Sequence, residues 1–576
     1  MADSAKDVAR ILFDVLEAHG VSRVVCSPGS RNAPLLIAAD ARPGLKKYVV
    51  IDERSAAFAA LGMAMVSREP VAIVCTSGTA LLNYAPAVAE AYYQGIPLIV
   101  ISADRPLEWI DQDDSQTIRQ PEALRNFVKG SYSLSDREQT DRPGWYESRM
   151  VNDAMLTALR PKQGPVHINV RLSPPLEATL PDDSPALSPA IIRNILSAPL
   201  PERDTMKELA REAAGKRVLV VAGFMQPDAR LNRAISRLRA MPNVAVVAET
   251  ISNLHLAPQD YSADSLLCAI DRETRRLLAP DLVISIGGAL VSRMLKEYLR
   301  ECGSRNPDMQ HWSVGFSHTT VDCFQSLSCR IDADPARFMT VLAGELTHLR
   351  RIAPHTASSA ISGYASRWSD SRLSALARMH TMTEAAAWSD LKAFDIILGN
   401  IPAEANLILS NGTSIRYAQI LERRVPHAEF CNRGVSGIDG STSTAVGAAL
   451  CYGADTILVT GDTSFAYDLS ALQTMKSLGS RLKIILIDNG GGGIFRFIRS
   501  TASLDCRERY FCADPQMNAK GVAEAFGLEY LHADSASTLR PALTAALTAT
   551  GPLLLHVETP PEQSAAILRK ALNINP

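Results

Sequence analysis

The sequence predicts an α/β protein built from three doubly wound parallel-sheet domains. Short apolar runs alternate with helical patterns along almost the whole chain, the pattern left by parallel strands covered by helices on both faces. Those runs empty into turns of glycine, proline and small polar residues. At 576 residues the chain also exceeds the ~250–300 at which a single core stops growing. Its composition, 47% hydrophobic and 21% charged, with a net charge of −2, is that of an ordinary globular protein. Such a charge gives no reason to expect nucleic acid as a partner. No apolar run reaches the ~18 residues of a membrane span. None of the ten cysteines forms a Cys-x-x-Cys pair, and several lie in apolar runs, where Cys acts as a small hydrophobe. The opening 1–20 reads as an amphipathic helix without the layout of a signal peptide. A cytoplasmic protein is expected.

Domain one, 1–185, takes its strands from 23–26, 47–51, 71–75, 97–102 and 166–170. The first four run into the turns SPGSRNAP, DERSA, TSGTA and ADRP. A proline- and acid-rich stretch, 171–189, reads as a linker. Domain two, 186–355, has strands at 217–223, 244–249 and 282–288 and looks Rossmann-like. Its first turn lacks Gly-x-Gly-x-x-Gly, so a dinucleotide is not expected there. Domain three, 356–576, resumes with strands at 406–410, 456–460, 483–487 and 552–557. No repeat is visible as sequence identity.

The chemistry concentrates where two strands of domain three end. Asp462 closes one strand and Asn489 the next, 27 positions on, with a helical stretch near 468–477 between them. Parallel strands joined by a helix end on the same side, where ligands gather. A carboxylate, an amide oxygen and a main-chain carbonyl form a hard oxygen set suited to Mg²⁺, which completes its shell with phosphate oxygens and water. The glycines 490–493 allow close approach of backbone to a diphosphate. Thr463 and Ser464 add hydroxyls at a helix start. A solvated turn capped by Asp462 would explain a lone Gly-Asp, but not the paired strand ends.

GDTSF followed by IDNGG resembles the fingerprint of thiamine diphosphate-dependent enzymes, with Thr463 and Asp488 as its two departures. That resemblance implies a thiamine diphosphate-binding fold. It implies Asp462, Asn489 and the Gly491 carbonyl as ligands of Mg²⁺, with Mn²⁺ as an alternative. It implies Glu53, in VVIDERSAAF, as the carboxylate that holds the coenzyme's pyrimidine in its imino tautomer. Alone, Asp52 and Glu53 would pass for acids at a helix start. The stretches SPGSRNAPL, TSGTALLNYAPAVAEA, SADRP, SQTIRQ, SNGTSIR, NRGVSGIDGSTSTAVG and GGGIF resemble one branch of this family, in menaquinone biosynthesis. That branch decarboxylates 2-oxoglutarate and adds the succinyl carbanion equivalent to isochorismate. The match spans domains one and three and is thin in domain two.

By resemblance, Asn411, Gly412, Ser436, Gly437, Ile438, Thr463, Ser464 and Ile494 join Glu53, Asp462, Asn489 and Gly491 around the coenzyme. Ile438 would force its bent shape, and Ile494 with Phe495 would wall the reacting carbon. Both substrates are multiply anionic, so Arg31, Arg105, Arg416 and Arg433 at strand-end turns, with Arg293 of domain two, form the expected carboxylate grips. Ser30 and Gln116 add neutral hydrogen bonds. The family's two coenzyme-binding domains usually meet across a subunit interface, which implies a homodimer or homotetramer. An acetolactate synthase-like ligase and a catalytically silent scaffold are the other readings. The eleven histidines show no His-x-His or His-x-x-x-His pair, and His167 and His556 read as satisfied core groups.

Overall fold

In the computed structural model, which describes residues 2–137, 142–181, 187–195, 199–261, 263–352, 359–421, 428–498 and 500–573, the strands form three parallel sheets. The first holds β1 (Arg23–Cys26), β2 (Lys46–Val49), β3 (Val71–Cys75), β4 (Leu98–Asp104), β5 (Ser131–Ser135) and β6 (Val166–Arg171), in the order β2-β1-β3-β4-β6-β5. The second holds β7 (Val218–Ala222), β8 (Val244–Ala248), β9 (Leu282–Ile286), β10 (Gln310–Val314) and β11 (Leu327–Ile331), ordered β11-β10-β9-β7-β8. The third holds β12 (Asn406–Leu409), β13 (Ala428–Phe430), β14 (Thr456–Gly461), β15 (Lys483–Asp488), β16 (Glu529–Ala533) and β17 (Leu553–Glu558), ordered β13-β12-β14-β15-β17-β16. The expected domain limits, 185/186 and 355/356, lie outside the described residues.

Numbered within its own domain, each six-stranded sheet runs 2-1-3-4-6-5. The first and third domains therefore share one fold, a repeat that sequence identity does not display. Sequence reading missed β5, β10, β11, β13 and β16. All but β10 are edge strands, and β10 lies next to an edge. Edge strands are covered on fewer sides, so β5 alternates buried with open positions, β11 and β16 are buried only at their last residue, and all three lack the apolar run that marks a central strand.

The first and third domains are joined through the helices Glu53–Ser67 and Ser441–Ala449. Ala56, Ala60, Ala445 and Ala448 belong to one continuous apolar core that spans both domains. The helices touch backbone to backbone. A Cβ on Gly62 would lie 1.9 Å from the Thr444 carbonyl oxygen, and one on Gly447 would lie 1.9 Å from that of Ala59. The middle sheet keeps two apolar clusters of its own. The helix Tyr364–Glu384 leans on it, with the Tyr364 hydroxyl and the Trp368 indole both donating to the Leu278 carbonyl.

Just past β8, fully buried Glu249 accepts from the Val291 and Ser292 amides at the start of the helix Arg293–Arg305. Burial pushes its carboxyl up to about 7.

Gly447→Ala is expected to cost roughly 1–3 kcal/mol, as overpacking of a tight contact does, read as a lower urea midpoint. Glu249 keeps a proton in the native state that the unfolded chain releases near pH ~4.3. Its contribution to stability is therefore full below that pH and is lost as pH rises toward about 7. In Glu249→Gln the fall in urea midpoint between pH 5 and 8 should be shallower; an unchanged fall would contradict the assignment.

Candidate active site

At the carboxyl edge of the third sheet, Asp462 opens the helix Asp462–Tyr467 directly after β14. Its side chain is buried. One oxygen accepts the Asn489 amide at 3.2 Å and the Gly491 amide at 2.7 Å; the other accepts from the amide and hydroxyl of Thr463. Burial pushes this carboxyl up, opposed by the Gly491 amide and reinforced by the Asp488 carboxylate. A buried acid held in this way gains from a cation.

Asn489 directly follows β15, and its Nδ2 donates to Asp390 Oδ2 at 2.8 Å. Asp390, fully buried at the start of the helix Asp390–Leu398, also accepts from the Thr559 hydroxyl. With the NH₂ end so fixed, the Asn489 carboxamide lies against Gly493 of the glycine loop. Gly491 has φ +99°, and a Cβ there would lie 2.2 Å from the Cys512 carbonyl. The position admits only glycine. The Gly491 carbonyl accepts from the Gly493 amide at 2.7 Å and keeps its second lone pair. These three oxygens fit a hard divalent ion, and the glycine backbone beyond them fits a diphosphate.

Asp488, the departure from the fingerprint, interacts with the Asp462 carboxyl on one side and with His556 on the other. His556 Nε2 lies 3.0 Å from its Oδ2, and although burial opposes it, this contact holds the carboxyl below its usual range.

The loop after β13 forms the neighbouring wall. Asn411 Nδ2 donates to the carbonyls of Asn432 (2.6 Å) and Gly437 (2.7 Å), while its Oδ1 accepts from Arg433. Ser464 donates to the Ile438 carbonyl at 2.7 Å, so its hydroxyl proton anchors this loop. Ser436 has φ +69°. Ile438 leaves 38% of its surface open beside this loop, so it is not a core residue. Ile494 and Phe495 are half-buried in the short helix after the glycines, with Phe495 against Phe511.

Two arginines stand behind this loop. Arg433 is buried and reaches the Leu290 carbonyl of the middle domain. Arg416 lies in the first turn of the helix Ser414–Leu421 rather than in a turn, and donates to the Gly412 carbonyl. Burial and the Arg433 charge lower its pKa. Adjacent guanidiniums at such depth invite an anion. Arg293, 82% exposed, starts the middle-domain helix and pairs with Glu297 at 2.6 Å.

The remaining residues sit at the corresponding edge of the first sheet. Ser30 and Arg31 follow β1, and Arg31 donates to the Leu172 carbonyl at 3.1 Å. Arg105 follows β4, grips the Ser115 carbonyl and pairs with Asp114. Desolvation and the Arg105 charge lower the pKa of Arg31, so these two also share one space. Gln116 is exposed, with φ +53°. Asp52 caps the helix Glu53–Ser67, which leaves Glu53 free of that task. Among the described residues its carboxylate has no hydrogen-bond or ion-pair partner, and none of these bonds joins the first-sheet group to the third-sheet group.

Sequence reading missed three supports. Asp390 orients Asn489. Arg496 donates to the carbonyls of Asn489 (2.9 Å) and Gly490 (2.7 Å), clamping the glycine loop. Glu90, on the first-domain helix Ala85–Gln94, accepts the amides of Gly434 and Val435. Arg496 stands beside a motif; Asp390 and Glu90 lie 99 and 344 positions from their partners and leave no trace in spacing.

The family model for the thiamine pyrophosphate enzyme N-terminal TPP binding domain matches residues 6–123, and that for the C-terminal TPP binding domain matches 411–557. An X-ray structure of a Mycobacterium smegmatis enzyme described as thiamin diphosphate-dependent superposes with TM-score 0.69 over 97% of this chain and 100% of its own, at 17% identity, a likeness of fold. A 2-succinyl-5-enolpyruvyl-6-hydroxy-3-cyclohexene-1-carboxylate synthase of Flavobacterium johnsoniae is 34% identical over 98% of each chain. The enzyme of that name from Porphyromonas gingivalis is 41% identical over 98% of this chain and 96% of its own. With both coenzyme-binding domains matched and likeness running end to end, the chain belongs to the thiamine diphosphate-dependent 2-succinyl-5-enolpyruvyl-6-hydroxy-3-cyclohexene-1-carboxylate synthase family.

Proposed function

We propose that the chain decarboxylates 2-oxoglutarate and joins the succinyl unit to isochorismate, giving 2-succinyl-5-enolpyruvyl-6-hydroxy-3-cyclohexene-1-carboxylate and CO₂ in menaquinone biosynthesis. The observation that carries the reading is the convergence of Asp462, the Asn489 amide and the Gly491 turn at adjacent strand ends. Thiamine diphosphate, when bound, supplies the nucleophilic carbon and the electron sink for loss of CO₂. Asp462, Asn489 and the Gly491 carbonyl would hold a divalent ion, Mg²⁺ with Mn²⁺ as substitute, which would supply the positive charge that a diphosphate needs. Asn411, Gly412, Ser436, Gly437, Thr463 and Ser464 shape the cradle, Ile438 props the coenzyme, and Ile494 and Phe495 exclude water from the reacting side. Glu53 holds a proton at the pyrimidine nitrogen.

Arg31 and Arg105, with Ser30 and Gln116, bind substrate carboxylates from one side; Arg416, Arg433 and Arg293 bind them from the other. Among the described residues no bond joins the Arg31–Arg105 pair to the Arg416–Arg433 pair, which suits a homodimer or homotetramer in which one copy's first domain faces the other copy's third. Exposed Val49 and Ile51 beside Glu53, and Val435 and Tyr467 beside the third-sheet site, suit such a contact. Ten cysteines without a disulfide suit the cytoplasm.

The test is CO₂ release from 2-oxoglutarate with thiamine diphosphate and Mg²⁺, with and without isochorismate. Release that the second substrate accelerates, together with the ligated product, supports the reading; acetolactate from pyruvate would overturn it. Glu53→Gln should reduce turnover at least ~100-fold, as loss of a proton-transfer group does, with coenzyme affinity by calorimetry nearly unchanged. Arg31→Ala, which removes a charged hydrogen bond, should lower kcat/KM by about 10- to 100-fold. Loss confined to coenzyme binding would contradict its placement.

A further inference from the structure

The diphosphate site leaves a second set of ligand-type side chains unused, at the carboxyl ends of β15, β17 and β16. In the parallel register Asp488 stands opposite Glu558, and His532 opposite His556. His556 and Glu558 are two apart on one strand and so share a face. Opposed residues of parallel strands also share a face, so all four side chains project from the same side of the sheet. Their gaps are short: His556 Nε2 to Asp488 Oδ2 is 3.0 Å, His532 Nε2 to Glu558 Oε1 is 3.5 Å, and His556 Nε2 to Glu558 Oε1 is 4.0 Å. One ligand atom from each of His532, His556 and Glu558 lies within 4.8 Å of the others.

Four ligands arranged tetrahedrally about an ion at ~2.0–2.1 Å stand ~3.3 Å apart. The His532–Glu558 and His556–Glu558 gaps lie just above that edge and the His556–Asp488 gap just below it, while Asp488 stands outside the 4.8 Å group formed by His532, His556 and Glu558 and reaches it through His556. His556 is the fixed point. Its side chain is 6% exposed, and Tyr530 OH lies 2.9 Å from its Nδ1, the outer partner that sets the tautomer of a ligating imidazole.

We propose that His532, His556, Glu558 and Asp488 form a binding site for a Zn²⁺-type ion, distinct from the divalent-ion site of the coenzyme. Two imidazoles and two carboxylates suit Zn²⁺, whereas Mg²⁺ requires oxygen ligands, so the two sites select different metals. On binding, His556 coordinates through the Nε2 lone pair as the neutral Nδ1–H tautomer, and Nδ1–H donates to the Tyr530 oxygen. The ion also draws on the Asp488 carboxylate, the chain neighbour of Asn489, and so lowers the negative charge next to the diphosphate cradle.

The test is calorimetric titration of ZnCl₂ into the full chain saturated with thiamine diphosphate and Mg²⁺. Wild type should take up one more Zn²⁺ than His532→Ala, an exposed substitution that leaves the fold intact. Tyr530→Phe should weaken that uptake about tenfold, as loss of an outer-sphere partner does. Co²⁺ in place of Zn²⁺ should give the visible absorption of a four-coordinate ion in wild type and not in His532→Ala. No Zn²⁺ uptake by wild type, or equal uptake by wild type and His532→Ala, would overturn the proposal.

Discussion

Asp462 accepts two amide protons across the gap between β14 and β15, and this arrangement sets the terms for the rest of the site. A carboxylate buried at a strand end is costly to ionise unless amides or a cation answer it. The amides come from the residues that would share the ion, so one set of bonds both builds the glycine turn and aims its ligands. Arg496 closes the turn from behind, and Asp390 holds the NH₂ end of Asn489. The cradle is therefore organised before any ligand enters, and ordering it adds little to the cost of binding.

Charge is divided in a similar way. Arg31 with Arg105, and Arg416 with Arg433, are two pairs of mutually repelling guanidiniums on separate domains. Each pair is held by backbone carbonyls rather than by a committed buried carboxylate, Arg105 with its Asp114 partner excepted. An anion held between the members of a pair would relieve the repulsion that the fold maintains. Glu90 ties the first domain to the loop that carries Arg433, so the placement of one pair depends on the domain that bears the other.

How much of this could be read from the chain follows from how local each feature is. Asp462, Asn489 and the glycines lie at the ends of long apolar runs, and both the strands and the turn chemistry were legible. Central strands were found because burial on both faces makes them uniformly apolar, as in β3 and β4; β5, β11, β13 and β16 were not, because an edge needs no such run. Asp390 and Glu90 meet their partners only through the tertiary fold. The same holds for His532 and His556: 24 positions apart in sequence, they fit no ligand spacing, and only the strand order sets them side by side.

The shared apolar core of the first and third domains has a bearing on how the molecule comes apart. Helices in contact through Gly62 and Gly447 have no room to slip past one another, and neither domain can expose its half of the core without stripping the other. Those two domains therefore form a single cooperative melting unit despite the long stretch of chain between them. The middle domain has clusters of its own, but Phe224, Ile251 and Val291 extend into the shared core, so it too is tied to that unit.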